Sequence, residues 1–361
     1  MKQAPSAWFS RIEAHFINEG FEKCYSEHTL FIKTDREGNI LIVSLYVDDL
    51  IFTGNNELMF AEFKTSMLRE FDMTDLGRMR FFLGIEVLQR PEGIYICQRK
   101  YASEVLKRFK MENNNSVHNP IAPGCKLYND ENGACVDETL FKQMVGCLMY
   151  LTATRPDLMF AVCLISRYMA KPTKLHLLAA KRILRYLRGT TELGIFYKKG
   201  GREGLIGYTD SDYAGDLEDR KSTSRYAFMM GSGVVAWSSR KQPIVTLSTT
   251  EAEFVAAAAC ASQAVWMQRI LEKLSLKESK GTTIFCDNSS TIKLSKNPVL
   301  HGRSKHIDVR FHFLRDLTRE GAVELVYCGT QEQLADIMTK PLPLAAFQKF
   351  RNQLGVCEIP E

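Results

Sequence analysis

Four acidic side chains in the last 152 positions of this 361-residue chain are placed to do chemistry together. Asp210 ends the run LIGYTD, Glu253 falls in the first turns of a long Ala-rich segment, Asp287 follows TTIFC, and Asp336 lies between Ala335 and Ile337. Singly, each has a plainer reading. An acid after a strand is usually a turn former or a helix N-cap, and Asp336 could be a solvated helix residue. As a set they imply more, because carboxylates converging at strand ends repel unless cations neutralise them. Two Mg²⁺ (or Mn²⁺) ions about 4 Å apart would do so, and would clamp both oxygens of an in-line phosphodiester displacement.

The choice of Glu253 over Glu251 rests on capping. In Ser248-Thr249-Thr250-Glu251 the serine caps the helix and Glu251 reaches back to the Ser248 amide, which gives Glu251 a structural task. Glu253 has none, and the small residues Ala256–Ala259 beyond it let the helix lie close to a sheet. A second acidic feature is Tyr46-Val47-Asp48-Asp49, an acidic pair between two apolar β-rich runs in Leu41–Gly54. The plain reading is a hairpin turn.

The elements that must position these acids follow from periodicity. The spacing predicts a helix from about Glu57 to Glu70, strands in FFLGIEVLQR and GIYICQRKY around Pro91-Glu92-Gly93, and a short helix over Ser103–Met111. Residues 112–139 are rich in Asn, Pro, Gly and Asp and read as a linker. Apolar helices divided by Arg155-Pro156 follow, then a helix over about Thr173–Leu187. From Gly204, three strands in a row lead into a helix over about Thr249–Leu274. Strand TTIFC, a helix from Ser289, a helix around Ile307–Thr318, strand VELVYC and a helix around Gln331–Met338 complete the chain. The order βββα followed by βα units implies a mixed sheet with helices on its faces.

Composition is that of an ordinary globular protein, and a formal charge of +5 gives only a mild push toward polyanions. Basic residues are grouped, however. Lys174, Lys181, Arg185 and Arg188 fall near one face of a helix, and Arg220-Lys221 and Arg303-Ser304-Lys305-His306 form two basic loops. Such faces are usually solvated, but they can also track nucleic-acid phosphates. Ser222 and Thr223 are candidates to read a 2′-OH. The ten cysteines include no CxxC pair and read as reduced thiols, among them Cys147, Cys163 and Cys286, which argues against structural zinc. No apolar run nears the ~20 residues of a membrane span and the N-terminus lacks a signal-peptide core, so the expectation is a soluble, intracellular protein.

YTDSDYAGD, DRKSTS, LSTTEAEF, FCDNSS, GRSKHIDVRFHF and QLADIMTKPL resemble, in order, the ribonuclease H domain of copia-type retrotransposon Pol polyproteins. KQAPSAWF, YVDD and FFLGIE resemble the reverse transcriptase of the same family. The resemblance implies an α+β, mixed α/β chain: a partial palm and thumb over 1–111, a helical connection over 112–203, and a ribonuclease H-like five-stranded mixed sheet with flanking helices over 204–355. It implies metal-binding acids at Asp210, Glu253, Asp287 and Asp336, and cleavage of RNA in RNA–DNA hybrids with two Mg²⁺ or Mn²⁺ ions. It also makes Asp48 and Asp49 two of three polymerase acids, the third lying upstream of this chain, so that polymerisation by this polypeptide alone is not expected. Gln3 would sit near the nucleotide pocket, and Trp8 and Phe9 would be palm core. Implied partners are an RNA–DNA hybrid and the missing N-terminal Pol portion or another Pol subunit, in a cytoplasmic virus-like particle or the nucleus. The alternatives are a nucleic-acid-binding remnant without activity and a scaffold. Two departures stand out: Tyr213 replaces the usual Trp, and Arg225 replaces the Gly of STSGY, which would strain a turn that needs positive φ. No histidine precedes Asp336 closely, which implies slower product release.

Overall fold

A computed structural model of the protein describes residues 4–200, 204–276, 281–296 and 308–359. It is an α+β chain in two compact units, Met1–Met79 with Val265–Ser279, and Arg80–Ala264 with Lys280–Glu361.

The first unit packs two helices on an antiparallel sheet. After α1 (Ala4–Asn18) come β1 (Glu22–Lys23), β2 (Leu30–Thr34), β3 (Ile40–Tyr46) and β4 (Asp49–Gly54), paired in chain order, then α2 (Glu57–Glu70). Strict alternation along β3 turns Leu41, Val43 and Leu45 inward, onto Ile12 and Phe16 of α1 and Phe63 and Met67 of α2. The Asn56 side chain accepts the amides of Leu58 and Met59, which satisfies two of the free donors that open α2. Trp8 and Phe9, partly buried, pack against this core.

The second unit holds two five-stranded sheets. β5 (Phe81–Phe82), β6 (Ile85–Arg90) and β7 (Gly93–Cys97) lead to the helices α3 (Arg99–Arg108), α4 (Glu138–Leu151), α5 (Met159–Ser166) and α6 (Lys174–Arg188), then β8 (Gly194–Lys198). The remaining elements are β9 (Leu205–Ser211), β10 (Thr223–Met230), β11 (Gly233–Lys241), α7 (Thr249–Lys273), β12 (Thr282–Cys286), α8 (Ser289–Lys296), α9 (Asp308–Arg319), β13 (Val323–Tyr327), α10 (Leu344–Gln353) and β14 (Val356–Cys357). One sheet has the order β11-β10-β9-β12-β13, antiparallel across β11-β10-β9 and parallel across β9-β12-β13. This is the mixed sheet that the element order implies. The other, β14-β8-β7-β6-β5, is antiparallel and joins segments far apart in sequence.

Several expectations need correction. The helix expected over Ser103–Met111 runs from Arg99 to Arg108, and Lys110 then turns left-handed at φ 54°. The last helix expected before the C-terminus is a short 3-10 helix, Leu334–Met338, capped by the Gln333 side chain on the Ala335 amide. Arg225 occupies no strained turn. It lies inside β10, in a strand conformation with no positive φ. The divider Arg155-Pro156 has more structure than a break. Arg155 pairs with Asp157 at 2.7 Å, and the Tyr186 hydroxyl donates to the same carboxylate, tying this bend to α6.

Candidate active site

The four acids arrive on four elements of the second unit. Asp210 is the penultimate residue of β9, and Asp287 follows the last residue of β12. β9 and β12 are parallel neighbours with Tyr208 paired to Phe285, so the same ends of both strands carry the acids. Glu253 comes in from α7, where the buried Ala256, Ala257 and Ala258 permit close approach. Asp336 sits in the 3-10 helix, which is pinned to the sheet twice. The Gln333 amide donates to the Thr209 carbonyl at 2.9 Å, and the Ser239 hydroxyl donates to the Met338 carbonyl at 3.1 Å.

Burial sets the electrostatics. Asp210, Glu253 and Asp336 are 4%, 7% and 2% exposed. Burial, with the charges of Asp210 and Asp287, pushes the Glu253 carboxyl up to about 10. Burial and Asp210 raise Asp336 to about 6, although Lys340 opposes this through an ion pair at 2.8 Å. Burial and Asp210 also raise Asp287. Ser211 donates its amide to Glu253 Oε1 at 3.2 Å, but Glu253 Oε2, Asp210 Oδ2 and Asp336 Oδ1 are buried and receive no hydrogen bond. Three donor-free carboxylate oxygens in a row of repelling acids are an arrangement that hard divalent cations satisfy. The donor set therefore fits Mg²⁺ or Mn²⁺.

Glu251 caps α7, one residue off the expected pattern. Ser248 Oγ accepts the Glu251 amide at 3.2 Å, and the Glu251 carboxylate accepts the amide of Leu247, not of Ser248.

The hairpin acids lie in the first unit. Tyr46 and Asp49 form the last pair of β3 and β4, leaving a two-residue loop of Val47 and Asp48. Val47 takes φ 54°, a costly conformation for a β-branched residue, and the Trp8 indole holds its carbonyl at 2.7 Å. Asp48 and Asp49 are exposed. Among the described residues, no third metal-ligating side chain joins them.

The basic candidates divide. Arg185 and Arg188 donate Nε to the carbonyls of Asn115 and Glu112, so both strap residues 112–115 onto α6. Lys181 is exposed and lines a cavity of about 610 Å³ with Lys110, Arg182 and Arg185. Arg220 is exposed in a left-handed turn at φ 57°, and Lys221 pairs with Asp219 at 3.4 Å. Gln3, Arg303, Lys305 and His306 lie outside the described residues. Ser222 and Thr223 cannot read a 2′-OH. Both are fully buried, Ser222 accepting the Ala214 amide and Thr223 accepting from Arg167.

Three features gave no usable signal in the sequence. Arg225 is 1% exposed and pairs with Asp212 at 3.2 Å, whose other oxygen accepts the Thr223 amide at 2.6 Å. Asp216, 5% exposed, holds Lys241 at 2.6 Å and Arg167 at 3.2 Å. Cys286 places its sulfur beside Glu253 and Asp287. Only the acid-rich run DSDYAGDLED hints at any of them.

Residues 1–123 match the family described as reverse transcriptase (RNA-dependent DNA polymerase). Over 360 residues the chain is 39% identical to the retrovirus-related Pol polyprotein from transposon RE1 of Arabidopsis thaliana, covering 100% of this chain and 24% of that polyprotein. It is 36% identical over 366 residues to the corresponding polyprotein from transposon TNT 1-94 of Nicotiana tabacum, covering 99% and 27%. The chain thus spans about a quarter of the length of these curated relatives. Among solved structures, the foamy viral protease-reverse transcriptase in complex with RNA/DNA hybrid overlays 83% of this chain and 37% of its own, with a TM-score of 0.44 and 15% identity. Among the described residues, no helix is long and apolar enough to cross a membrane.

Proposed function

Because this chain belongs to the copia-type retrotransposon Pol family, we propose that its segment 204–355 is a metal-dependent ribonuclease H that cuts the RNA strand of an RNA–DNA hybrid. One observation carries this reading: Asp210, Glu253, Asp287 and Asp336 meet at the ends of β9 and β12, and Asp210, Glu253 and Asp336 each bury an oxygen that receives no hydrogen bond.

These four carboxylates would hold two Mg²⁺ or Mn²⁺ ions. When bound, the ions supply charge neutralisation and Lewis acidity at the scissile phosphate. The chain's own work is to fix the acids beforehand. The Ser211 amide orients Glu253, Gln333 locks the Asp336 helix to β9, and Lys340 offsets part of the Asp336 charge. Lys181, Arg220 and Lys221, with Arg303, Lys305 and His306, are the proposed phosphate contacts along the hybrid, while Arg185 and Arg188 hold residues 112–115 against α6. The reverse-transcriptase segment is proposed to be inactive alone, because two metal ions cannot be fixed by Asp48 and Asp49 without a third ligand.

Incubation of the protein with an RNA–DNA hybrid and Mg²⁺ tests the reading. Cleavage of the RNA strand is expected, with Asp210→Asn and Glu253→Gln each slower by about 100-fold or more. Absence of metal-dependent cleavage, or equal cleavage by the variants, overturns it. A second reading, a scaffold that docks another Pol segment, draws on the exposed Leu58, Leu68 and Leu76 of the first unit. A stable, soluble monomer in light scattering counts against it.

A further inference from the structure

We propose that Glu253, Cys286 and Asp287 form a binding site for a thiophilic divalent cation of the Zn²⁺ class, overlapping two carboxylates of the proposed nuclease centre. Their ligand atoms, one from each side chain, all lie within 4.8 Å of one another. A bound ion of this class needs oxygen and sulfur at ~2.0–2.3 Å, so the three groups would close around it. Cys286 is fully buried at the end of β12, and the Glu253 carboxylate beside it is itself buried, with one oxygen that receives no hydrogen bond. The sulfur therefore belongs to the acid cluster and not to the apolar core alone.

Ligand softness gives the site its selectivity. Mg²⁺ takes oxygen ligands and passes over sulfur, whereas Zn²⁺ and Cd²⁺ prefer a thiolate. Binding forms a metal–sulfur bond at Cys286 and releases the thiol proton to solvent. An ion held this way occupies Glu253 and Asp287, so it excludes the hard-ion arrangement. Thiophilic cations then act as competitors of Mg²⁺.

Titration of the intact protein with Cd²⁺ tests this, read as the ultraviolet thiolate-to-metal charge-transfer band. Wild type should show a component that Mg²⁺ displaces, and Cys286→Ser should lose it, with apparent Cd²⁺ affinity falling by about tenfold or more, at least the cost of losing a supporting ligand. The other nine cysteines contribute equally to both proteins. Identical bands and identical Mg²⁺ competition in wild type and Cys286→Ser overturn the proposal. Should that variant fail to fold, Glu253→Gln keeps the thiol and carries the test through Cd²⁺ affinity alone: a charge-transfer titration identical to wild type overturns the proposal, and an affinity lower by about tenfold or more supports it. The readout is independent of catalysis. A Cys286-dependent band without hybrid cleavage refutes the nuclease reading alone, and cleavage without the band refutes this one alone.

Discussion

Arg225 stands directly across the β9–β10 ladder from Asp210, with its guanidinium buried. Cross-strand partners share a face of the sheet, so this cation lies on the side where Asp210 projects. Asp212 and the Thr223 carbonyl hold it, and the ring of Phe160 faces it at 5.6 Å. Arg225→Ala leaves Asp212 without its cation and opens a cavity, so a loss of about 2–4 kcal/mol is expected in urea denaturation. Arg225→Met keeps the volume and should lose less. An Arg225→Ala protein as stable as wild type would refute the buried pair as a structural tie.

The acid cluster predicts a stability that depends on both pH and metal. Carboxyls whose folded values are raised favour the protonated fold, so their stabilisation is present below the ordinary carboxylate range and is lost as pH rises through those folded values. For Asp336 that loss centres on about 6, and for Glu253 it extends to about 10. Metal-free protein should therefore melt at falling temperature as pH rises across this window, and Mg²⁺ should flatten the slope. Glu253→Gln should raise the metal-free melting temperature above pH 6 while abolishing cleavage. Melting curves in chelator and in Mg²⁺ decide the matter, and a melting temperature that climbs with pH in chelator refutes it.

Asp216 predicts the opposite sign. Burial alone would raise its carboxyl, but the hydrogen bond from Lys241, the Asp219 and Glu218 amides and the Lys241 charge hold it down to about 2. Its stabilisation is present above the ordinary carboxylate range and disappears as pH falls through about 2. Asp216→Asn should cost about 1–3 kcal/mol at neutral pH, and the gap from wild type should close in acid. A gap that is constant with pH would show that the charge is not what Lys241 and Arg167 require.

The two basic roles on α6 are separable. Arg188→Ala should free the backbone at Glu112 and speed proteolysis between residues 112 and 119, while Lys181→Ala should not. Lys181→Ala should instead reduce the salt dependence of hybrid binding by about one unit of slope. Equal effects of both variants on both readouts would refute the division.

The Trp8–Val47 hydrogen bond predicts a local effect. Trp8→Phe removes the donor to the Val47 carbonyl and should cost about 1 kcal/mol, with faster amide exchange at Val47 and Asp48. Exchange unchanged from wild type would show that the turn holds φ 54° without the indole.

The sequence made some of this legible, and the residues show why. Short apolar, β-rich runs in ILIVSLY and TTIFC mark β3 and β12, and the Ala-rich run of α7 together with the cap at Ser248 locates Glu253. Motif order implied the four acids, and the structure brings them together at the strand ends. Buried charges were hidden. Arg225 reads as a residue straining a turn, and Asp216 draws no reading of its own, because nothing local announces a partner that the fold supplies from elsewhere in the chain. The 3-10 helix at Asp336 was read as an α-helix because its apolar pattern over LADIM is too short to tell the two apart. β14, two residues long, carries no period at all, and its pairing with β8 exists only in three dimensions.

That pairing bears on how the chain comes to be folded during synthesis. The Tyr95 hydroxyl donates to the carbonyls of both Glu192 and Cys357, joining positions 97 and 262 residues away. On the ribosome, β5, β6 and β7 can assemble as soon as residue 97 has emerged. β8 then waits about 100 residues longer, and the strand that covers its open edge waits for residue 357. From the emergence of residue 198 to that of residue 357, β8 is thus an uncapped template for pairing with another chain, and that interval is where this segment is most exposed to misassembly.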